Sequence, residues 1–426
     1  MRTGNHFKNK IISLKERLKE LRIYSLSHSC NFQKRRTKKI DPLNLILSFY
    51  NCNLNGSFSL SGWAFHLSQL INKPISKQAI FERVDADFIN LCRELLNRSF
   101  NSKRTVNKFM KKFSNVYIQD STCIHLPSSL YEFYQGNKTY TGNHSVAKIQ
   151  VIYNLMKNTF EELMVTSFTR NDQAASADIL QYISAGDLIV RDLGYFVLRS
   201  LKEILKKGAH FICPLRKDVH LFFPHNNQLI DLKKLLKNKK YLKQTVLLGK
   251  EEKVPVTLFA IKLDRKTASY RQKYAIQDRD RRKKLTIEKL HLLGWDVFVS
   301  SCADLEPQVI QDIYKIRWHI EIVFKSWKSH LKLEKNIPKR LNRPFIPEAI
   351  IYLTLLLTVL FIMPVYRLAI KTFKGISLIK TTRFIVGLMP RSDWTLSQVQ
   401  LNNSRRLITY ETRNRANFTD KVAFLT

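Results

Sequence analysis

Two aspartates follow short apolar runs that are typical of buried strands. Asp120 comes directly after Val-Tyr-Ile-Gln and precedes Ser121-Thr122, and Asp192 comes directly after Leu-Ile-Val-Arg. A carboxylate at the carboxyl end of a buried strand points into the crevice where open α/β sheets bind ligands. Either aspartate alone could be a turn residue or a helix cap, so a third group is needed before the pair indicates chemistry.

The third acid lies in a helical pattern that runs from about residue 307 to 334. At about 100° per residue, Tyr314, Arg317, Glu321 and Lys328 fall within about 60° of one another, beside an apolar face. A solvated ion-pair face is an alternative explanation, since Arg317 and Glu321 stand four residues apart. A solvated face does not, however, require Tyr314 beside an apolar seam.

The spacing Tyr314-x2-Arg317-x3-Glu321-x6-Lys328 resembles the Tyr-Arg-Glu-Lys signature of DDE transposases of the insertion-sequence-four type. The Asp120-Ser121-Thr122 run and the segment 192–196 are similar to the first and second catalytic aspartate motifs of that family. The resemblance covers about residues 110 to 335. It implies an RNase H-like core, an α/β fold with a mixed sheet, interrupted by a β-rich insertion between the second aspartate and the glutamate.

By this resemblance, Asp120, Asp192 and Glu321 would be catalytic and would coordinate two Mg²⁺ ions, with Mn²⁺ as a substitute. Mg²⁺ is a hard ion that prefers carboxylate and water oxygens, so a site without a His or Cys cluster is consistent with it. One ion would activate water or a DNA 3′-hydroxyl, and the other would stabilise the leaving oxygen.

The resemblance also implies side chains that contact DNA. Tyr314, Arg317 and Lys328 would hold phosphates near the cleaved end, because a guanidinium and an ammonium suit that anion. Some family members form a hairpin intermediate with a flipped base stacked on a tryptophan, and Trp295 is the candidate here. Core packing is the alternative role for Trp295. If it stacks on a base, Trp295→Ala should reduce end cleavage and leave folding intact.

The charge of the chain agrees with a nucleic-acid partner. Seventy-two Lys and Arg residues against 34 Asp and Glu give a net charge of +38 over 426 residues. Such a surface attracts polyanions, and binding of this kind weakens as salt rises. The expected partners are double-stranded DNA, as element ends and as target, and a second copy of the chain that bridges the two ends.

Cysteine usage and the N-terminal sequence predict a cytoplasmic protein. The cysteines are far apart and form no C-x-x-C pair, which argues against a zinc ribbon or a disulfide framework. The start of the chain is basic and lacks the apolar core of a signal peptide. The apolar run 349–363 is shorter than the roughly 20 residues needed to span a bilayer. It predicts a buried helix that ends at Pro364, and no membrane partner.

Helical and strand patterns divide the chain into five predicted regions. An amphipathic basic helix is expected at residues 8–24, followed by a basic run at 34–39. Residues 60–84 predict two helices broken at residues 72–74, with Ser76 as the N-cap of the second, and either a helix-turn-helix DNA reader or a structural pair fits them. The regions are 1–105, helical and DNA-binding; 106–215, the first part of the catalytic core; 216–290, a β-rich basic insertion; 291–340, the second part of the core with the Glu-bearing helix; and 341–426, helical.

The predicted function is a bacterial insertion-sequence transposase that binds terminal inverted repeats and carries out metal-dependent DNA cleavage and strand transfer. An RNase H-like nuclease without strand transfer would share the three acids, and a joining assay separates the two. A non-catalytic basic DNA-binding protein would be indifferent to Mg²⁺. A decayed copy is a further alternative, although the three acids and the helix signature are intact.

Overall fold

The computed structural model describes residues 12–34, 40–54, 58–100, 112–139, 142–278, 286–341, 343–387 and 394–409. The predicted basic residues 35–39 and 279–284, and the first residues of the predicted helix 8–24, lie outside these ranges. Within them the strands are, in chain order, β1 (Ile12–Ser13), β2 (Val116–Leu126), β3 (Gln135–Thr139), β4 (Gly142–Asn154), β5 (Thr159–Ser167), β6 (Leu188–Arg191), β7 (His210–Pro214), β8 (Leu221–Phe222), β9 (Tyr241–Leu248), β10 (Val254–Lys262), β11 (Trp295–Ser300) and β12 (Thr395–Leu396).

One mixed sheet forms the centre of the fold. Its described strands run in the order β3-β4-β2-β6-β7-β11-β10-β9-β8, with β5 also paired to β4. The β5-β4-β2 part is antiparallel, whereas β2, β6 and β7 are parallel. The mixed α/β fold expected from the sequence is therefore confirmed, and strands β2 and β4 to β7 occupy the place of the core that the resemblance implies.

Both faces of this sheet are buried, because successive side chains of the central strands pack into two different apolar clusters. Ile118, Val190 and Ile212 pack into one apolar cluster, together with the helices that precede and follow the sheet in sequence. Their neighbours Tyr117 and Ile189 point into a second cluster on the opposite face. Successive side chains of a strand point to opposite faces, so strands covered on both sides become the near-continuous apolar runs seen in the sequence.

The helices, in chain order, are α1 (Leu14–Glu20), α2 (Ile23–Ser29), α3 (Pro42–Leu54), α4 (Leu60–Ile71), α5 (Lys77–Arg83), α6 (Ala86–Phe100), α7 (Leu198–Lys206), α8 (Leu232–Leu236), α9 (Arg265–Gln277), α10 (Ile287–Leu292), α11 (Pro307–Lys315), α12 (Trp318–Lys325), α13 (Phe345–Leu357), α14 (Met363–Thr372), α15 (Leu378–Gly387), α16 (Gln398–Asn403) and α17 (Arg405–Ile408). The single helix predicted at 8–24 is interrupted, because Arg22 adopts a left-handed conformation with φ 58° between α1 and α2.

The N-terminal and C-terminal helices form one body on the sheet. Strand β1 pairs with β12. The Tyr50 hydroxyl of α3 donates to the Leu353 carbonyl of α13 at 2.9 Å, and the Trp394 indole N–H donates to Asn51 at 2.8 Å. The two regions that the sequence separates by more than 200 residues therefore share one core.

The segment between β7 and β11 extends the central sheet. Strands β9 and β10 pair with each other, and β10 pairs with β11. Helix α8 lies between β8 and β9, and helices α9 and α10 lie between β10 and β11. The described part of the predicted β-rich insertion therefore carries as much helix as strand. The boundaries 216 and 290 remain a prediction.

The most apolar helix of the described residues runs from Phe345 to Thr372 and is long and apolar enough to cross a membrane. Its most apolar window is 94% buried inside the protein, as expected for a core helix. The predicted end at Pro364 is wrong, because the helical path continues to Thr372. A π-helical turn at Thr358–Ile362 precedes the proline, and this wider turn accommodates a residue that cannot donate a backbone hydrogen bond.

Candidate active site

The guanidinium of Arg317 lies among three carboxylates that come from distant parts of the chain. Its Nη1 is 2.5 Å from Asp120 Oδ2, and its Nη2 is 2.7 Å from Glu321 Oε1. Its Nε is 3.8 Å from Asp192 Oδ1. The structure therefore brings together the three acids selected from the sequence, around the arginine of the same signature.

Asp120 is the most buried of these acids. The parallel pairing of β2 with β6 stops at Gln119 and Arg191, so Asp120 and Asp192 occupy adjacent positions just beyond it. Asp120 does not end its strand, as the sequence suggested, because β2 continues to Leu126 in antiparallel pairing with β4. The two aspartates nevertheless lie side by side where the parallel pairing of β2 and β6 ends.

Burial changes the pKa of Asp120. Removal from water raises the pKa of this carboxyl to about 6, although Arg317 and the Ser121 backbone N–H oppose the rise. The Ser121 N–H donates to Asp120 Oδ1 at 2.8 Å. The Asp120 carboxylate is thus held by a cation on one oxygen and an amide on the other.

Tyr314 orients Asp192 from the other side of the site. The Tyr314 hydroxyl donates to Asp192 Oδ1 at 3.2 Å, and its ring packs on Phe298 with the ring centroids 4.9 Å apart. Burial raises the pKa of Tyr314 above its ordinary value, so the hydroxyl keeps the proton that it donates. Asp192 itself is more open to solvent, with 41% of its side chain exposed.

The helix that carries these residues is not the single regular helix predicted for 307–334. Helices α11 and α12 are separated by a tight turn at Ile316 and Arg317, where backbone N–H groups bond three residues back instead of four. A π-helical turn at Ser326–His330 follows α12. The tight turn interrupts the regular rotation of about 100° per residue on which the predicted stripe depends. The stripe is therefore preserved over only part of its length. Tyr314, Arg317 and Glu321 stay together.

Lys328, the fourth residue of the stripe, lies apart from the Arg317 cluster in the contacts described. Its Nζ is 4.0 Å from Glu334 Oε1, and the same oxygen accepts from the His125 backbone N–H at 3.1 Å. Burial raises the pKa of the Cys123 thiol, and nearby Lys148 and Lys328 oppose that rise. Lys328 therefore faces the far half of β2, which begins just after Asp120.

A fourth carboxylate beside the site was missed in the sequence. Asp172 Oδ1 accepts from the Ser121 hydroxyl at 2.7 Å, and the ammonium of Lys148 lies 2.7 Å from the same oxygen. Lys148 is buried, so Asp172 is the counter-ion for a buried charge. Asp172 lies five residues beyond the end of β5, so a rule that selects residues directly after a strand does not find it.

Asp172 also touches the loop of the second aspartate. A side chain on Gly194 would meet Asp172 Oδ2 at 2.7 Å, which is closer than real contacts allow. The glycine two positions after Asp192 therefore permits a close approach of the backbone to this carboxylate. Asp172 is wedged between the residue that follows Asp120 and the turn that follows Asp192.

A cleft of about 1060 Å³ opens next to Asp192. Its lining includes Leu193, which follows Asp192, and Tyr314, which donates to it. Trp295 and Trp318 also line this cleft. Trp295, the predicted base-stacking residue, is only 6% exposed and packs in the second apolar cluster. Trp318 is 61% exposed at the start of α12. The structure thus assigns the exposed indole of this cleft to a tryptophan that the sequence reasoning overlooked.

The donor set suits divalent cations. All three candidate ligands are carboxylates, which are the hard oxygen ligands that Mg²⁺ prefers, and they already surround one positive group. Among the residues that the structure describes, no three His, Cys, Asp or Glu side chains are grouped closely enough to hold one ion jointly. In this arrangement the carboxylates converge on Arg317 instead.

A comparison with family models gives one match over more than half of the 426 residues. The model, described as a transposase DDE domain, matches residues 111–346. This range begins just before β2 and ends within α13. It includes Asp120, Asp192 and Glu321.

Curated relatives agree with this match. The chain is 23% identical over 331 residues to the transposase for insertion sequence element IS231B of Bacillus thuringiensis subsp. berliner, covering 71% of this chain and 69% of that protein. It is 23% identical over 315 residues to the transposase for IS1151 of Clostridium perfringens, covering 67% and 66%. Among solved structures, a piggyBac transposase synaptic complex with hairpin DNA matches with a TM-score of 0.45 and 10% identity, over 93% of this chain and 83% of that one.

Proposed function

The chain belongs to the DDE transposase family, and we propose that Asp120, Asp192 and Glu321 are the carboxylates with which it cleaves DNA and transfers strands. The family match and the insertion-sequence relatives bear out the resemblance to transposases of the insertion-sequence-four type. The observation that carries the assignment of residues is the convergence of these three acids, from β2, the end of β6 and α12, on one guanidinium.

Transposases of this family use divalent metal ions, and we propose Mg²⁺, with two ions held by Asp120, Asp192 and Glu321 and Mn²⁺ as a substitute. When bound, such ions lower the pKa of an attacking water or 3′-hydroxyl and stabilise the leaving oxygen. Asp120 would serve as a ligand in its carboxylate form. The charge of Arg317 stabilises that form and opposes the rise in pKa that burial causes.

The remaining residues of the signature position the acids and the DNA phosphate. Tyr314 fixes Asp192 through its hydroxyl. Arg317 balances the negative charge of the acids, and its planar guanidinium also suits two oxygens of a phosphate. Lys328 lies beside the far half of β2, where a point charge can attract the backbone of the bound strand.

We further propose that the N-terminal helices bind the element ends and that the basic segment between β7 and β11 also contacts DNA. Helices α4 and α5 have the predicted break and cap: Asn72 is left-handed at φ 51°, and the Ser76 hydroxyl accepts from the Ala79 N–H at 3.1 Å. Lys77 and Gln78 at the start of α5 are exposed, as base-contacting residues must be. The active assembly is proposed to be a homodimer on paired ends, in the bacterial cytoplasm and at the nucleoid when DNA is bound.

The test is cleavage and joining of a short duplex that carries the terminal repeat of the element. Wild type is compared with Asp120→Asn, Asp192→Asn and Glu321→Gln, in Mg²⁺, in Ca²⁺ and without metal. We expect each variant to bind the duplex normally and to lose both cleavage and joining. Full cleavage by any of the three would remove that residue from the site, and nicking without joining in the wild type would favour a nuclease.

A further inference from the structure

Helix α9 presents an outward stripe of lysines and tyrosines. Lys266, Tyr270, Lys273, Tyr274 and Gln277 are all exposed, at offsets of 0, 4, 7, 8 and 11 along the helix, which places them on one face at about 100° per residue. Tyr270 is 71% and Tyr274 is 67% exposed. Two large exposed rings that stand together on one helix face can mark a binding surface.

The inner side of α9 is fixed by polar contacts. No residue of α9 is buried. Arg271 Nη1 lies 2.7 Å from Asp296 Oδ1, and the Gln272 amide donates to the Leu290 carbonyl at 3.1 Å. The Asp264 carboxylate caps the start of the helix by accepting from the Thr267 N–H at 2.8 Å. The helix is held in place while its outer stripe makes no contribution to the core.

The charge of α9 selects an anionic partner. The sequence Arg265–Gln277 contains four basic residues and no acid. Lys266 and Lys273 are seven residues apart, about 10 Å along the axis, which suits phosphates a few nucleotides apart on one strand. Tyrosine hydroxyls also donate to phosphate oxygens.

The position of α9 relates this stripe to the acids. Thr267 and Arg271 of α9 line the same cleft as Leu193 and Tyr314, which stand next to Asp192. Lys266, Tyr270, Lys273 and Tyr274 lie on the adjoining outward face of α9 and not in the lining of the cleft, so DNA that reaches the cleft across α9 would contact them first. Contacts from lysine and tyrosine to phosphates fix the position of a duplex without reading its sequence.

We propose that the α9 stripe, defined as Lys266, Tyr270, Lys273 and Tyr274, binds the backbone of target DNA during strand transfer. The proposal rests on the proposed transposase function of the acids. Target DNA is the occupant because it varies in sequence from one insertion to the next, whereas the element ends are constant and need base contacts. Lysine and tyrosine supply the sequence-independent contacts that a variable duplex requires.

The first experiment measures binding and does not depend on catalysis. Lys266→Ala/Lys273→Ala and Tyr270→Phe/Tyr274→Phe are titrated with a random-sequence duplex and with a terminal-repeat duplex over a range of salt concentrations. For the random duplex, we expect the lysine variant to lower the slope of log affinity against log salt concentration by the equivalent of about two phosphate contacts. It should bind the terminal repeat as the wild type does. The control variant Lys202→Ala/Lys206→Ala removes the same charge from an exposed face of α7 outside the cleft. It should bind both duplexes as the wild type does.

The second experiment measures strand transfer from a pre-cleaved element end in Mg²⁺ as target DNA is titrated. The lysine variant should need roughly tenfold more target for half-maximal joining, while its cleavage of the element end is unchanged. Target titrations that coincide with the wild type would overturn the proposal. So would a parallel loss of terminal-repeat binding, which would assign α9 to the element end, or a changed oligomeric state, which would make it a protein interface. A wild type that neither cleaves nor joins would instead refute the proposed function, and the binding arm would still test the α9 stripe.

Discussion

Arg317 and Asp120 are 197 positions apart in sequence, and their side chains meet with Arg317 Nη1 2.5 Å from Asp120 Oδ2. Only 11% of the Arg317 side chain and 12% of the Asp120 side chain are exposed. The ion pair is therefore shielded from solvent. If one partner is removed, the other keeps a buried charge that water does not compensate. This pair links the two parts of the proposed catalytic core.

The first prediction follows from this ion pair. Arg317→Gln should lower the free energy of unfolding of the metal-free protein by about 3 kcal/mol, because Asp120, Asp192 and Glu321 then lack their shared cation. Added Mg²⁺ should restore much of the lost stability if the acids hold metal. The measurement is urea unfolding with and without Mg²⁺. Lys315→Gln, which removes an exposed ion pair with Asp312, should cost well under 1 kcal/mol. Equal stability of Arg317→Gln and wild type would contradict the role of Arg317 as shared cation.

Local sequence patterns predicted the elements of the core and most of the cluster of acids. Buried strands produce apolar runs that end at identifiable residues, so Asp120 and Asp192 could be placed at neighbouring strands. The signature on the helix could be located because the residues are close in sequence. The tight turn at Ile316 and Arg317 could not be predicted, because residues of good helix propensity occupy it and tertiary contacts of Arg317 with two strands decide its geometry.

The second prediction concerns Asp172 and Lys148. Asp172→Asn leaves the buried Lys148 ammonium without its counter-ion, and we expect a loss of about 3 kcal/mol of stability and roughly tenfold slower end cleavage with unchanged end binding. The double variant Asp172→Asn/Lys148→Met should be more stable than the Asp172→Asn single variant, since no uncompensated charge remains. The measurement is urea unfolding and single-turnover cleavage of Asp172→Asn, Lys148→Met and the double variant. Additive losses would show that the two residues act independently.

The third prediction separates the two tryptophans of the cleft. Because Trp295 is buried in β11, Trp295→Ala should destabilise the fold by about 3 kcal/mol or more, which replaces the expectation that this change leaves folding intact. Trp318→Ala removes an exposed ring and should change stability by less than about 0.5 kcal/mol. If an indole of the cleft stacks on a base, Trp318→Ala should reduce end cleavage while Trp318→Phe retains most of it. Cleavage by Trp318→Ala at the wild-type rate would exclude such stacking.

Long-range packing explains what the sequence did not reveal. Trp295 begins a strand and Trp318 begins a helix, and the packing of β11 and α12 against the rest of the protein decides which ring is covered. The Lys148 and Asp172 pair depends on the hairpin of β4 and β5 lying beside strand β2 and the turn that follows Asp192. The shared core of the N-terminal and C-terminal helices depends on contacts across more than 200 residues, such as that of Tyr50 with Leu353. The hydrophobic periodicity of a single helix or strand does not predict these contacts between distant segments.

The last prediction concerns stability against pH and rests on His319. This residue of α12 is buried, its Nε2 lies 3.3 Å from the Tyr153 hydroxyl, and burial lowers its pKa to about 3. Between pH 6.5 and 3 the unfolded chain binds a proton that the folded protein excludes, so this residue reduces stability as the pH falls through that window. The reduction is at most about 1.4 kcal/mol for each pH unit. Above pH 6.5 the imidazole is neutral in both states and has no effect on the pH dependence.

The measurement is urea unfolding of wild type and His319→Gln at pH 5 and pH 8 without metal. Buried carboxyl groups with raised pKa, such as Glu162 and Glu348, contribute in the opposite direction in both proteins, and the difference between the proteins cancels them. The wild type should lose more stability than His319→Gln on going from pH 8 to pH 5, because only the wild type has the imidazole that charges on unfolding. An equal loss in both proteins would mean that the folded state admits a protonated His319, and that α12 opens enough to hydrate the residue two positions before Glu321.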